Sequence, residues 1–246
     1  MLIIAIPKSA SSSLVTTLGD AHRLPVETAR IRDDILQRRP VVSGFVQIAR
    51  FHRRDPVDID ARVASAVSGS DAFAKFHFPP TPNNQAQLAA TKKVVLLRDA
   101  SSIVAAYRRG EETGAYRTRN LDFCFCLTEA GWLARARRVG FLDELERFAD
   151  GWRAHAGEKL VIEYRDLVAD PAGTLARVED YWGLPRSGRT ELRREKFSRN
   201  AAAPRRSAAG ILIARRTMML RRLGRDVGRA LFGSETPLVV RLERRH

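Results

Sequence analysis

Short apolar runs alternate along the chain with longer stretches that have helical spacing. Four runs are typical of buried strands, being brief, apolar and partly β-branched: 2–6 (LIIAI), 72–78 (AFAKFHF), 93–97 (KVVLL) and 159–164 (KLVIEY). Helical spacing predicts helices over 11–18, 101–109, 133–155 and 171–182, the last between Pro171 and Gly183. Strands that alternate with helices predict an α/β fold, with one domain built on a central parallel sheet flanked by helices.

The last fifth of the chain differs in charge from the rest. Residues 196–246 hold thirteen Lys/Arg and three Asp/Glu, so they carry +10 of the total net charge of +15. One helical stripe in this segment is apolar: Ile213, Leu220, Leu223, Val227 and Leu231. We therefore expect an α/β domain over 1–204 and a basic amphipathic extension over 205–246. The extension suits either peripheral contact with an anionic membrane surface or packing on the domain.

Composition indicates a globular protein with an anionic partner. The 246 residues are 44% hydrophobic and 29% charged, and the positive charge suits a nucleotide, a nucleic acid, an acidic glycan or a membrane surface. The two cysteines, Cys124 and Cys126, provide no disulfide framework and too few ligands for zinc. With no signal-peptide pattern and no apolar run of spanning length, the sequence predicts a cytoplasmic protein.

The first apolar run leads directly into a lysine and a cluster of serines. Lys8 follows Pro7, and Ser9, Ser11, Ser12 and Ser13 come within the next five positions. A loop between a buried strand and a helix N-terminus is a natural anion site, because free N–H groups and the helix dipole both favour negative charge. This P-loop-like segment lacks the Walker pattern, since its lysine precedes the turn. It suits a phosphate or a phosphosulfate; the alternative is a basic loop with helix-capping serines.

Four segments together resemble the sulfotransferases that use 3′-phosphoadenosine 5′-phosphosulfate (PAPS). They are the phosphosulfate loop "IPKSASSSL", the Lys-x-His-x-Pro segment "AKFHFPP", the 3′-phosphate segment "VVLLRDASSIVAAY" and the segment "VIEYRDLVADPAGTLARVEDYWGLP". They occur in the family's order between residues 3 and 185. The resemblance implies transfer of a sulfuryl group from PAPS to a hydroxyl or an amine, with PAP as product and no metal.

The resemblance assigns the 5′ end of PAPS to the first loop. Lys8 matches the lysine that contacts the phosphosulfate and neutralises the leaving phosphate, while Ser9, Ser11 and Ser12 match positions that bind the 5′-phosphate. Ala10 replaces the usual glycine, which alanine can do only where φ is not positive. Ser13 stands where many relatives carry a tryptophan near the adenine, so that contact is missing or supplied elsewhere.

The 3′ end of PAPS is assigned to Arg98, whose fork of donors suits a phosphate. The family's partner serine falls on Ala106, and Ser102, one helical turn earlier, is a substitute for it. Tyr164 matches a tyrosine that approaches the adenine. The family's basic C-terminal contact corresponds best to 194–200 (REKFSRN), through Arg199 or Lys196.

His77 matches the general base of the family, and Lys75 matches a lysine often found beside it. A histidine can accept a hydroxyl proton at neutral pH, although a histidine at a strand end also commonly has a structural role. Some relatives that act on glycans use a glutamate instead, so Glu111, Glu112 and Asp122 are reserve candidates.

A bacterial surface glycan or glycolipid is the expected acceptor. A charged loop is predicted over 108–120, where its arginines would suit an acidic acceptor: Arg108, Arg109, Arg117 and Arg119. A catalytically inactive binder of polyanions is the main alternative function. Nucleic acid is disfavoured because no aromatic-rich stretch is present, and an ATP-dependent kinase is disfavoured by the missing Walker motif.

Side chains outside these motifs are predicted from their context. The aromatic residues expected in the core are Trp132, Trp152, Trp182, Phe123 and Phe125. His22, His52 and His155 are expected at the surface, and both cysteines are expected to be half-buried.

Overall fold

A computed structural model describes residues 1–27, 41–51, 56–113, 123, 126–193 and 207–232. The chain divides into two compact units, Met1–Arg205 and Arg206–His246. The first unit contains the β-sheet and every residue of the proposed site that the structure describes. The second unit contains a single described helix.

The first unit is built on one parallel sheet. Its strands are β1 (Leu2–Ala5), β2 (Val26–Glu27), β3 (Phe73–Phe76), β4 (Lys93–Leu97) and β5 (Lys159–Glu163), in the spatial order β2-β3-β1-β4-β5. All four strand pairs are parallel, with Ile4 opposite Phe76 on one side and Val95 on the other. The predicted α/β class is confirmed. The sequence pattern did not indicate β2, because two residues are too few to show a period.

Helices connect the strands and cover the sheet. They are α1 (Ser11–His22), α2 (Val46–Phe51), α3 (Ala61–Ser68), α4 (Pro82–Gln87), α5 (Ala100–Glu112), α6 (Glu129–Arg138), α7 (Phe141–Ala154), α8 (Tyr164–Ala169) and α9 (Pro171–Trp182). The second unit adds α10 (Ala208–Phe232).

Both faces of the sheet are buried, which explains the continuous apolar strands. In β1, Leu2 and Ile4 belong to one core cluster, whereas Ile3 and Ala5 belong to the cluster on the opposite face. Successive strand residues point to opposite faces, so a strand covered on both faces must be apolar throughout. Lys75 in β3 is a buried exception that lies close to the candidate site.

Two of the predicted segments were wrong in the number or type of their elements. The single helix predicted over 133–155 is two helices, α6 and α7, separated at Gly140, whose φ of 73° lies in the left-handed region that glycine tolerates. The loop predicted over 108–120 begins as helix, because α5 continues to Glu112. The part of that loop beyond Thr113 lies outside the described residues.

Two histidines predicted at the surface are covered by other residues: His155 is buried, and the side chain of His22 is 8% exposed. His22 lies 3.0 Å from the carboxylate of Glu179, and Nε2 of His155 accepts a hydrogen bond from Nζ of Lys93 at 3.2 Å. Both partners are distant in sequence, so local context could not reveal them. His52, Cys124 and Phe125 lie outside the described residues.

The predicted aromatic core is confirmed at Trp132, Trp152 and Phe123, which are at most 1% exposed. Trp182 is only half-buried and packs beside the cluster on the other face. Cys126 is half-buried, as expected.

The helix of the second unit is partly apolar on its exposed surface. Leu212, Ile213 and Leu220 are 40%, 66% and 59% exposed. Within the part of the chain that the structure describes, no helix combines the length and the apolar character needed to cross a bilayer.

Candidate active site

Four sequence-predicted residues lie directly beyond the carboxyl ends of strands. Lys8 follows β1, His77 follows β3, Arg98 follows β4 and Tyr164 follows β5. Because the strands are parallel, these residues share one edge of the sheet. From β1 the chain continues to β2 and β3 on one side and then to β4 on the other, so β1 lies at the topological switch point. Ligands of open α/β sheets bind in the crevice at such a point.

The loop after β1 has a backbone conformation suited to an anion. Lys8 and Ala10 have φ of 65° and 61°, whereas Ser9 between them is not in the positive-φ region. Residues that alternate in this way turn successive N–H groups toward one concavity, as in phosphate-binding loops.

The start of α1 adds further free donors. Ala10 precedes the helix and has no side-chain oxygen to cap it, and the first helical hydrogen bond runs from Leu14 N to Ala10 O. Within the described residues, the N–H groups of Ser11, Ser12 and Ser13 therefore have no partner. Three uncapped N–H groups and the helix dipole favour a negative charge at this end.

The serines of the loop are not equivalent. Ser9 is fully buried, and its hydroxyl donates to the carbonyl oxygen of Ile6 at 2.7 Å. That bond fixes the loop and occupies the hydroxyl proton, so the backbone N–H is the donor that Ser9 retains for a ligand. Ser12 is exposed and Ser13 half-exposed, which leaves their hydroxyls accessible.

The expectation that Ala10 avoids positive φ was wrong. Alanine occupies the left-handed region here, where its Cβ crowds the following carbonyl oxygen, at a cost of roughly 1–2 kcal/mol. Strain of this kind is typical of ligand-binding sites, where surrounding structure enforces it.

Ala10→Gly is therefore expected to stabilise the fold by about 0.5–1 kcal/mol, because relief of the strain exceeds the extra entropy of unfolded glycine. Urea unfolding measures the change. Ala134→Gly, at an exposed interior position of α6, is the control and should destabilise by about 1 kcal/mol. Equal destabilisation by both substitutions would contradict the left-handed conformation of residue 10.

Arg98 connects β4 to the loop after β1. Its Nη1 donates to the carbonyl oxygen of Lys8 at 2.6 Å, and its Cζ lies 3.9 Å from the ring centroid of Tyr164. Its Nε is buried and has no hydrogen-bond partner among the described residues. Burial lowers the pKa of Arg98, an effect that Tyr164 opposes. A buried guanidinium donor without a partner indicates that an acceptor belongs there.

The ammonium group of Lys8 is held close to this guanidinium. Nζ lies 4.8 Å from the ring centroid of Tyr107 in α5. Burial, and then the charge of Arg98, lowers the pKa of Lys8 to about 8. An anion bound beside both groups would favour the charged form of each. The two positive charges are therefore unfavourable beside each other in the free protein, and a polyanionic ligand would compensate for them.

His77 is oriented by the backbone of β1. Nδ1 lies 2.5 Å from the carbonyl oxygen of Ala5, and since a carbonyl only accepts, Nδ1 carries the proton of the neutral ring. Nε2 then retains its lone pair, and Nζ of Lys75 lies 3.5 Å from it. His77 and Lys75 are 2% and 8% exposed. The neutral tautomer defined here is the one that can accept a proton at Nε2.

Ser102 lies in the first turn of α5. Its backbone N–H donates to the carboxylate of Asp99 at 2.8 Å, and the hydroxyl of Ser101 donates to the same oxygen at 2.6 Å. The Ser101 bond first, and then the Ser102 bond, holds the pKa of Asp99 below its usual value. Asp99 thus caps α5, and the Ser102 side chain lies on the helix face that it shares with Ala106.

The structure describes only some of the other predicted residues. Glu112 pairs with Arg108 at 2.6 Å, and Arg108 also contacts Glu129 at 3.1 Å. Glu111 is buried, and Arg109 is exposed. The remaining candidates lie outside the described residues: Asp122, Arg117, Arg119, Lys196 and Arg199. Within the described ranges, no cluster of His, Cys, Asp and Glu could hold a metal ion.

Sequence reasoning assigned no role to Tyr107 or to the carbonyl groups of Ala5 and Lys8. Tyr107 falls inside the 3′-phosphate segment, so its position was visible, but its contact with Lys8 was not. Backbone carbonyls have no residue-type signal, because every residue carries one.

No family model and no curated protein matches this chain. Among solved structures, a mouse sulfotransferase complexed with PAP is 12% identical, with a TM-score of 0.46 over 82% of this chain and 62% of the mouse chain. A sulfotransferase from Alicyclobacillus acidocaldarius is 15% identical, with a TM-score of 0.43 over 91% and 94%.

This chain therefore spans about three-fifths of the length of the mouse enzyme. TM-scores below 0.5 are too low to assign a shared fold. The α/β class accordingly rests on the strand order and the parallel pairing described above.

Proposed function

We propose that this chain is a PAPS-dependent sulfotransferase that acts on a hydroxyl or an amine. The observation that carries the proposal is the convergence of two half-buried cations, Lys8 and Arg98, beside the uncapped start of α1. This arrangement suits a ligand with more than one anionic group. The resemblance of the four motifs to the PAPS-dependent family supports PAPS as that ligand.

The residues present fit PAPS at both of its anionic ends. Lys8 and the N–H groups of Ser11, Ser12 and Ser13 would hold the 5′-phosphosulfate. The buried Nε of Arg98, which has no partner in the described chain, would donate to the 3′-phosphate. Ser102, four positions after Arg98, would donate a second hydrogen bond to the same phosphate. Tyr164 is half-buried, so part of its ring remains open to the adenine. The contribution of Arg199 stays a prediction.

The protein's own groups supply charge and proton transfer. When bound, PAPS supplies the sulfuryl group and the phosphate that leaves. Nε2 of His77 accepts the proton of the acceptor hydroxyl while the acceptor oxygen bonds to sulfur. Lys8 stabilises the negative charge that develops on the phosphate oxygen as its bond to sulfur breaks. Nζ of Lys75 lies 3.5 Å from Nε2 of His77.

A glycan or a glycolipid of a bacterial surface is the proposed acceptor. Arg109 is exposed at the end of α5, and the chain carries a net charge of +15. Both features favour an acidic acceptor, because positive charge raises the local concentration of anions.

The pKa of Lys8 leads to a direct test with PAP. At pH 8 about half of the ligand-free Lys8 is protonated, and a bound phosphate favours the ammonium form. The phosphates of PAP are already ionised at this pH. Binding is therefore expected to take up roughly half a proton per site, and affinity should fall as the pH rises above about 8.

Calorimetry in two buffers of different ionisation enthalpy measures that proton. The wild type should give different heats in the two buffers, and Lys8→Met should give equal heats wherever it still binds. Lys92→Met is the matched control, because Lys92 is an exposed lysine paired with Glu158. Equal heats for the wild type would show that Lys8 does not respond to the ligand.

The proposal includes peripheral contact of α10 with an anionic membrane surface, which would place the protein at the cytoplasmic face. Leu212, Ile213 and Leu220 present exposed apolar area on this helix. The basic extension of residues 205–246 supplies charge of the sign that anionic lipid headgroups attract.

Ile213→Asp with Leu220→Asp is expected to abolish sedimentation of the full chain with vesicles that contain anionic lipid. The two carboxylates remove apolar area and oppose the charge attraction. Val168→Asp, at an exposed apolar position of α8, is the control and should leave binding unchanged. If the double variant binds vesicles as well as the wild type, α10 is not the membrane contact.

A further inference from the structure

Tyr107 is a buried aromatic residue in the middle of α5 and has no role in the account above. Its side chain is 1% exposed, and its ring packs against Phe51 and Phe141, with centroids 4.5 and 5.9 Å away. The same ring lies under the ammonium group of Lys8, with Nζ 4.8 Å from the centroid. Lys8, the cation that the proposed reaction needs, therefore contacts the aromatic core through its ammonium group.

The ring is fixed more firmly than the lysine that contacts it. Phe51 itself stacks on Phe141, with centroids 4.7 Å apart, so the ring of Tyr107 belongs to a continuous aromatic cluster. A packed cluster of this kind moves little, whereas the four-carbon stem of a lysine has many rotamers. The contact therefore constrains Lys8 and not Tyr107.

Among the described residues, Arg98 is the charged group shown to act on Lys8. Arg98, from the end of β4, disfavours the ammonium form, and burial does the same. Arg109 and Asp99 act on Arg98 with opposite signs. The face of an aromatic ring attracts a cation, so the ring of Tyr107 favours the ammonium form. The hydroxyl adds no charge, because burial raises the pKa of Tyr107 and keeps it neutral.

We infer that Tyr107 is a positioning residue for Lys8, whose ring holds the ammonium group in place and favours its charged form before the ligand arrives. The inference rests on the proposed function, because the position of Lys8 matters for transfer only if Lys8 contacts PAPS. The aromatic ring is the required feature. Tyr107→Phe should therefore behave as the wild type, whereas Tyr107→Leu should not.

A fluorinated series at position 107 tests the ring without changing its shape. Phenylalanine and its mono-, di- and trifluoro analogues are incorporated in the full chain, since each fluorine weakens the negative face of the ring. The pKa of Lys8 is read by NMR titration of Cε-labelled lysine, assigned with Lys8→Arg. PAP affinity at pH 8 is measured on the same samples, and thermal melting confirms equal stability.

The pKa of Lys8 and the affinity for PAP are both expected to fall steadily with fluorine number, the affinity by about 2–30-fold across the series. A constant pKa would overturn the inference, as would a falling pKa with unchanged PAP affinity. Both results leave the proposed function intact as long as the wild type binds PAP. Absence of PAP binding by the wild type would instead overturn the proposed function and the inference together.

Discussion

Lys8→Ala is expected to lower kcat for sulfuryl transfer about 10²–10³-fold, the usual effect of removing one preorganised charge-stabilising group. Lys8 is half-buried and lies beside Arg98, so its charge acts where water screens it little. The decrease in kcat should exceed the decrease caused by removal of a surface cation, because the leaving phosphate gains charge as its bond to sulfur breaks.

Release of PAP from PAPS, with water as the acceptor, measures this rate before the true acceptor is identified. Lys92→Ala is the matched control, since it removes an exposed ammonium group near the opposite edge of the sheet. If Lys8→Ala retains more than a tenth of the wild-type kcat, Lys8 does not stabilise the leaving phosphate in the chemical step.

His77→Asn is expected to lower kcat about 10²–10⁴-fold while leaving PAP affinity unchanged. Asparagine can keep the hydrogen bond to the carbonyl of Ala5, because its amide nitrogen replaces Nδ1, but it offers no basic nitrogen in place of Nε2. The variant therefore separates the structural role of the side chain from its proposed chemical role.

PAP release and PAP binding are measured together on His77→Asn and on His22→Asn, which removes another histidine with a largely covered side chain. Full activity in His77→Asn, combined with inactivity in Glu111→Gln, would show that the base is Glu111 and not His77. A parallel loss of PAP binding in His77→Asn would indicate a structural role for His77.

The elements that the sequence predicted well are those determined by local pattern. β4 has the predicted bounds, since its five apolar or buried residues are flanked by polar ones, and β1 was predicted to within one residue. The break between α6 and α7 was missed because Gly140 interrupts an otherwise helical pattern, and glycine is tolerated inside helices.

The candidate site was predictable in its residues but not in its contacts. Arg98 and Lys8 are ninety positions apart, and their bond uses a carbonyl oxygen that every residue has. The tautomer of His77 likewise depends on the carbonyl of Ala5, which the parallel register of β1 and β3 brings near. The positive φ of Ala10 opposes residue preference, and tertiary structure has to impose it.

The charges of the free protein are arranged as the proposed reaction requires, with two cations close together. Lys8 and Arg98 lie close enough for the charge of one to lower the pKa of the other, which is unfavourable without a ligand. Functional sites commonly retain such unfavourable pairs, because ligand binding reverses their effect. Lys8 and Arg98 would also attract other polyanions without specificity. A binding experiment therefore has to distinguish a specific PAP site from general charge attraction.

Calorimetric titration with PAP at moderate and at high salt, on the wild type and on Lys8→Ala, tests whether the chain has a specific PAPS site. We expect one site in the wild type whose affinity persists at high salt, and we expect Lys8→Ala to lose that site. Weak binding that disappears with salt in both proteins alike would contradict this expectation and would favour the alternative of an inactive polyanion binder.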